Sequence, residues 1–270
     1  MENNIIRVSL DGKGDYTRLV DAFEYVRQND LHDMTVLIAS GSYDLMQEVI
    51  EVKGQHFVDT FSNAEYVSPT GFKGLFLGNN ITVIGDNVTD TVINCTYTGR
   101  NESFMSDFSV FHVYDNAFTI KNVTINAKNV RYCLHDDSRT LNKKGKCCGY
   151  VDNCIMNDCG LHYGACLAGG IIGNTYRRIT NSKFTCAPGH YAVYYHTNEG
   201  SGTGQIEVDN IFSETGTTWF APNKGTVENQ SVMYVSNSFL AAPPYKYELP
   251  EGSTAIDNST LKYWNIQVKE

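Results

Sequence analysis

Three things missing from this chain narrow its function before any motif is read. It has no apolar stretch of even ten residues near its start: Met1-Glu2-Asn3-Asn4 leads straight into a strand-like run. Neither a cleavable leader nor a membrane span is therefore expected, and synthesis in the cytoplasm without a signal peptide is. It has no basic tract longer than Lys143-Lys144, and its 30 acidic against 21 basic residues give a formal charge of −9. Binding driven by phosphate contacts is excluded on that count. A strongly polyanionic sugar is disfavoured too, unless cations mediate the contact. It also has no paired CxxC unit among its eight cysteines, so Cys147, Cys148, Cys154 and Cys159 do not read as a zinc site. Stacked small core residues are the simpler expectation, with the thiols reduced in the absence of a leader. Charged residues are scarce at 19%, while hydrophobic residues reach 41%, the balance of a folded chain.

What is present is a repeat. An aliphatic residue, any residue and then asparagine recur at Ile120-Lys121-Asn122, Val151-Asp152-Asn153, Ile179-Thr180-Asn181, Val208-Asp209-Asn210 and Val235-Ser236-Asn237. The asparagines are 31, 28, 29 and 27 residues apart, close to one turn of a parallel β-solenoid. Asparagine tolerates the left-handed backbone that a sharp corner between strands needs. Stacked corner amides can also hydrogen-bond along the axis. The flanking aliphatic residues point inward, onto their counterparts about 4.8 Å away in the next coil.

Before the repeats, Asp11-Gly12-Lys13-Gly14-Asp15 reads as a tight turn, and Thr17 can cap a helix over roughly 18–29 with Leu19, Ala22, Phe23 and Val26 on one face. Met34–Ala39 reads as a buried strand ending in the turn Ser40–Tyr43, and residues 54–74 as an inserted loop. Ile81–Asp86 and Thr91–Ile93 form the next coil. Three segments, Asp11–Thr17, Gly41–Tyr43 and Asn80–Ile93, follow one another in the order of the front end of pectinesterase-type proteins. Here the chain resembles the pectin-lyase-like superfamily. That resemblance implies an all-β, single-stranded right-handed parallel β-helix with an N-terminal capping helix at about 16–29. The helix domain would run over 1–240, leaving 241–270 as a C-terminal cap or oligomer contact. The two catalytic aspartate segments and the arginine-tryptophan pair of pectinesterases are missing, as is the pectate-lyase arginine run; Arg177-Arg178 does not match it. The scaffold resembles these enzymes, and their reactions do not carry over.

Aligned on their asparagines, the coils expose a second register. One column reads Arg131, His162, His190 and Trp219; the next reads Tyr132, Tyr163, Tyr191 and Phe220. Strand alternation puts the two on opposite faces, aromatic column inward. Outward imidazoles, a guanidinium and an indole would suit a sugar, and exposed strand positions with no role are the plainer alternative. The catalytic candidates are His135, Asp136 and Asp137, with His196 near. A working pair would need Asp136 or Asp137 to meet a carboxylate such as Asp158 or Glu199, because glycosidic hydrolysis uses two. Glu199 is also a candidate for substrate binding. Calcium would enter only for a lyase, on oxygen ligands; otherwise no cofactor or metal is expected. The plain reading is that Asp136-Asp137-Ser138 opens the polar loop 138–146.

The expected function is binding, and in one version depolymerising, a polysaccharide, as a glycoside hydrolase or polysaccharide lyase. Tailspike and appendage proteins of bacteriophages resemble this profile, which implies a virion-associated homotrimer with a glycan surface as partner. The alternatives are a non-catalytic virion structural or adhesion module, and a pectinesterase or pectate lyase.

Overall fold

The computed structural model describes residues 4–60, 72–97, 108–114, 117–137, 147–159, 165–171, 175–186, 191–197, 205–213, 232–236, 239–240 and 265–268. Among them every strand pairing is parallel, and the strands fall into three sheets. The long sheet stacks Ile5–Val8, Thr35–Ile38, Ile81–Gly85, Phe118–Lys121, Cys147–Asp152, Thr175–Thr180, Gln205–Asp209, Val232–Ser236 and Asn265–Val268. The middle sheet stacks Leu75–Leu77, Ser109–Tyr114, Tyr132–Asp137, Ala165–Ile171 and Tyr191–Thr197. The third stacks Gly41–Asp44, Thr91–Thr96, Thr124–Lys128, Ile155–Cys159, Lys183–Cys186, Phe212–Ser213 and Phe239–Leu240. From residue 81 to 197 the chain visits long, third and middle sheets in rotation, the course of a parallel solenoid.

The corners are built as the asparagines require. Asn122, Asn153, Asn181 and Asn210 all have φ between 51° and 58°, the left-handed region that asparagine tolerates better than other residues bearing a β-carbon. Asn237 lies outside the described residues. The amides do bond along the axis: Asn153 Nδ2 donates to Asn122 Oδ1 at 2.9 Å, and Asn210 Nδ2 to Asn181 Oδ1 at 2.8 Å. Between them Asn181 donates to the Asp152 carboxylate instead, at 2.9 Å. A second ladder runs up the third sheet, from Asn157 to Asn126 to Asn94 to Ser42, with bonds of 2.7 to 2.9 Å. Asn153→Ala should lower stability by about 1–2 kcal/mol, from left-handed strain plus one lost hydrogen bond. Asn153→Gly, which relieves the strain alone, should recover part of that. Denaturant midpoints of the two variants check this; equal losses would mean that the backbone angle is irrelevant.

The core is the space between the sheets. Val83, Ile120, Val151, Ile179 and Val208 stack there from the long sheet, against Ile93, Ile125, Met156 and Phe184 from the third. Cys95, Cys133, Cys154, Cys166 and Cys186 are buried free thiols, with the sulfurs of Cys166 and Cys186 3.3 Å apart. In register with Cys186 stands Asp158, also fully buried, whereas Cys159 pairs with Lys128.

The end of the stack is closed by helix Leu19–Gln28, whose Leu19, Ala22, Phe23 and Val26 are buried and whose Phe23 ring meets Phe111 edge-on at 5.8 Å. Its cap residue is Arg18, one place beyond the expected Thr17; its side chain donates to the Asp21 carboxylate at 2.6 Å and caps no backbone N–H of the helix. The free Val20 N–H is taken instead by Glu48 Oε2 at 3.0 Å, from a helix over Leu45–Lys53 that the sequence reading lacks. That second helix has a conventional cap, with Asp44 accepting from Gln47 N–H at 3.0 Å. Gln55–Thr60 is helical as well, inside the stretch read as a loop; residues 61–71 of that stretch lie outside the described residues. Gly41–Asp44, read as part of a turn, is a strand of the third sheet. At the far end Asn265–Val268 adds a last strand to the long sheet.

Candidate functional site: the middle sheet and the ion pair beneath it

Alternation from Leu134 to Asp136 sorts the side chains, while Cys133 also turns into the core beside Leu134. Leu134 stands in register with Phe111 and Leu167, all fully buried, which defines the inner face. His135 stands in register with His112 and, through it, with Phe76, on the outer face. The two imidazoles meet edge-to-face with centroids 4.9 Å apart, and the Tyr132 ring packs on His135 at 5.0 Å. The Arg131 guanidinium lies 4.8 Å over the Tyr132 ring, a cation–π contact. Arg131, Tyr132, His135 and His112 thus form one contiguous run. Its rings are enclosed: His112 and His135 are only 4% and 6% exposed. The expectation of Arg131 and Tyr132 on opposite faces gives way to their stacking, because Arg131 sits in the corner, outside strand alternation.

The Asp136 side chain enters the core. It is fully buried, in register with Val113 and Gly169. Arg177, 1% exposed, reaches it from the long sheet: Nη2 donates to Asp136 Oδ1 at 2.8 Å, and Nε donates to Oδ2. Nη1 donates to the Tyr176 carbonyl at 3.0 Å. Two glycines of the intervening coil make room for this bidentate pair. Gly169 stands next to Asp136 and Gly149 next to Arg177, in facing sheets. A β-carbon on Gly149 would lie 2.7 Å from Arg177 Cδ and 2.5 Å from the Phe118 ring. Across that gap the guanidinium sits 5.4 Å over Phe118, two coils below it.

In fold the chain is similar to pectin methylesterases. The enzyme from carrot is 13% identical, with a TM-score of 0.49 over 100% of this chain and 83% of that one. That from Aspergillus niger is 13% identical, with 0.46 over 100% and 86%, and PemA from Erwinia chrysanthemi 10%, with 0.44 over 100% and 81%. No protein-family model and no curated protein matches the chain. The fold assignment rests on the sheet registers themselves.

The remaining sequence candidates fall unevenly on this frame. Backbone register puts Asp137 beside Gly170, and Gly170 beside His196, so these two candidates stand two strands apart in one row. Tyr132 stands beside Ala165, and Ala165 beside Tyr191. Ala165, and not the expected Tyr163, therefore fills the row between Tyr132 and Tyr191. His162, Tyr163, His190, Glu199, Trp219 and Phe220 lie outside the described residues. Asp158, proposed as a partner carboxylate, is buried at the third sheet. Among the described residues no three His, Cys, Asp or Glu side chains group as a metal site. The sequence reading missed His112 and the role of Arg177. Register with His135 is the signal for the first. For the second it is a column reading Phe118, Gly149, Arg177, Ile206 and Met233, where a charge stands among apolar residues and glycine.

Proposed function

We propose that the protein is a right-handed β-helix that engages a polysaccharide along the outer face of its middle sheet. The observation that carries this reading is the contiguous run Arg131, Tyr132, His135 and His112. The half-buried Arg131 offers its guanidinium to sugar hydroxyls, and the enclosed Tyr132, His135 and His112 rings hold it in place beneath that face. Right-handedness follows from the strong preference of parallel crossovers. In the catalytic version, of bacteriophage tailspike or appendage type, Asp137 and His196 carry the proton transfers from their shared row. His135 helps to orient the sugar, and Asp136 acts through Arg177 by fixing the strand. His162, His190, Trp219 and Glu199 would extend the sugar-binding face. The protein would then be a virion-associated homotrimer.

One observation favours the non-catalytic version, a virion structural or adhesion module. A glycosidase needs two carboxyl groups flanking the bond, and Asp136 is already committed to Arg177. Incubation with capsular and cell-wall polysaccharides, followed by assay of new reducing ends or unsaturated products, separates the two. Cleavage that falls about 10²–10⁴-fold in Asp137→Asn, with the fold intact, supports the enzyme. Binding with no product, abolished in Tyr132→Ala, supports the module. Cleavage unchanged in Asp137→Asn removes that residue from the mechanism.

A further inference from the structure

The long sheet carries a groove on its own outer face, remote from the residues just described. Two outward rows build it. One runs Thr119, Tyr150, Arg178 and Glu207 across successive strands, and the other Lys121, Asp152, Thr180 and Asp209. Together, Glu207 excepted, they line a cavity of about 480 Å³ that opens to solvent, a size within the range of small-ligand sites.

Its parts are held in place by contacts within the sheet. Tyr150, one of the few large exposed apolar side chains among the described residues at 37%, leans edge-on against Tyr176 at 6.1 Å. Tyr176 in turn donates its hydroxyl to Glu207, which fixes both. Asp152 Oδ1 accepts from Thr180 at 2.7 Å and Asn181 at 2.9 Å, while Lys121 Nζ stands 3.9 Å from Oδ2. Burial alone would push the Asp152 carboxyl up. The Thr180 and Asn181 hydrogen bonds, with the Lys121 and Arg178 charges, outweigh it and hold the group below its ordinary range. Such pre-ordering lowers the entropy lost on binding.

We infer that this groove is a second saccharide site, one that takes a glycan segment whose carboxylates are separated by neutral sugars. The exposed Tyr150 ring offers a flat apolar face to a pyranose. Thr119, Asp152 and Asp209 accept from hydroxyls. Arg178, exposed on the same row, presents the planar fork that grips a carboxylate through two parallel hydrogen bonds, with Lys121 as a second cation. Asp152 and Asp209, on a chain of formal charge −9, repel a ligand charged at every sugar. Nucleic acid is excluded for the same reason.

The test is calorimetric titration of the intact chain with three tetrasaccharides. One alternates glucuronic acid with N-acetylglucosamine, one is neutral chitotetraose, and one is tetragalacturonate. The alternating ligand is expected to bind tightest. Tyr150→Ala and Arg178→Ala should each weaken it about tenfold to a hundredfold. Arg178→Lys should not restore it, since an ammonium cannot make the paired contact. Both side chains are exposed, so unchanged melting temperatures are expected and serve as the folding control. Equal affinity for the neutral ligand, binding unaltered in both variants, or no binding of any of the three overturns the site. Asp137→Asn is the control against the middle sheet. If it removes binding and the groove variants do not, the ligand sits on the middle sheet and this inference alone fails.

Discussion

Arg177→Met is expected to destabilise the protein by about 3–5 kcal/mol, although methionine keeps most of the arginine stem. The loss comes from what is left behind. Asp136 is fully buried, and the two hydrogen bonds from Arg177 help to offset its removal from water. With the guanidinium gone, an ionised carboxylate would face Val113, Gly169 and Phe118 across the core. It would either remain charged at high cost or take up a proton. The double variant Arg177→Met, Asp136→Leu removes both charges and should return close to parental stability, because an apolar pair can replace a buried ion pair at little cost. Denaturant midpoints of the two variants decide between this account and simple loss of packing. If the double variant is as unstable as the single one, the space around Gly149 and Gly169 needs the arginine for its shape and not for its charge.

That ion pair also marks where the sequence stops being legible. The corner asparagines could be read directly, because their demand is local: one residue type, one backbone conformation, repeated at the coil length. The capping helix was legible from a single apolar face. Pairing of Asp136 with Arg177 depends on two sheets facing each other across 41 residues of chain, and nothing local links them. A ruler drawn from the asparagines also drifts wherever a corner changes length, which is how Tyr163 was placed where Ala165 stands. Columns drawn strand by strand recover what it lost. Arg177 appears among apolar neighbours, and Asn94, Asn126 and Asn157 appear as a second ladder four residues beyond the corners at Asn122 and Asn153. Glu48 escaped for a different reason. Its helix was not expected, so its carboxylate had no helix end to serve.

Glu48→Gln is expected to make the protein more stable at neutral and alkaline pH, and to leave it unchanged in mild acid. Burial raises the Glu48 carboxyl from its ordinary 4.5 to about 7, against the lowering effect of the Val20 and Leu19 N–H groups that it caps. A raised acid binds its proton more tightly folded than unfolded. Between about pH 4.5 and 7 the folded state therefore holds more of this proton, and stability falls as pH rises through that window. Above it the folded chain carries the full burden of a buried carboxylate. Each pKa unit corresponds to about 1.4 kcal/mol, so the swing is on the order of 3 kcal/mol. Glutamine keeps the acceptor oxygen for Val20 and has nothing to ionise. The two proteins should have matching denaturant midpoints near pH 4, and the variant should lead increasingly up to pH 8. A variant that instead falls behind as pH rises would mean that Glu48 is stabilised as the carboxylate. The helix N-terminus, with its unsatisfied N–H groups and positive end of the dipole, would then outweigh burial. The same titration thus measures how strongly the end of the solenoid is closed, because Glu48 joins the helix that covers the core to the helix packed beside it.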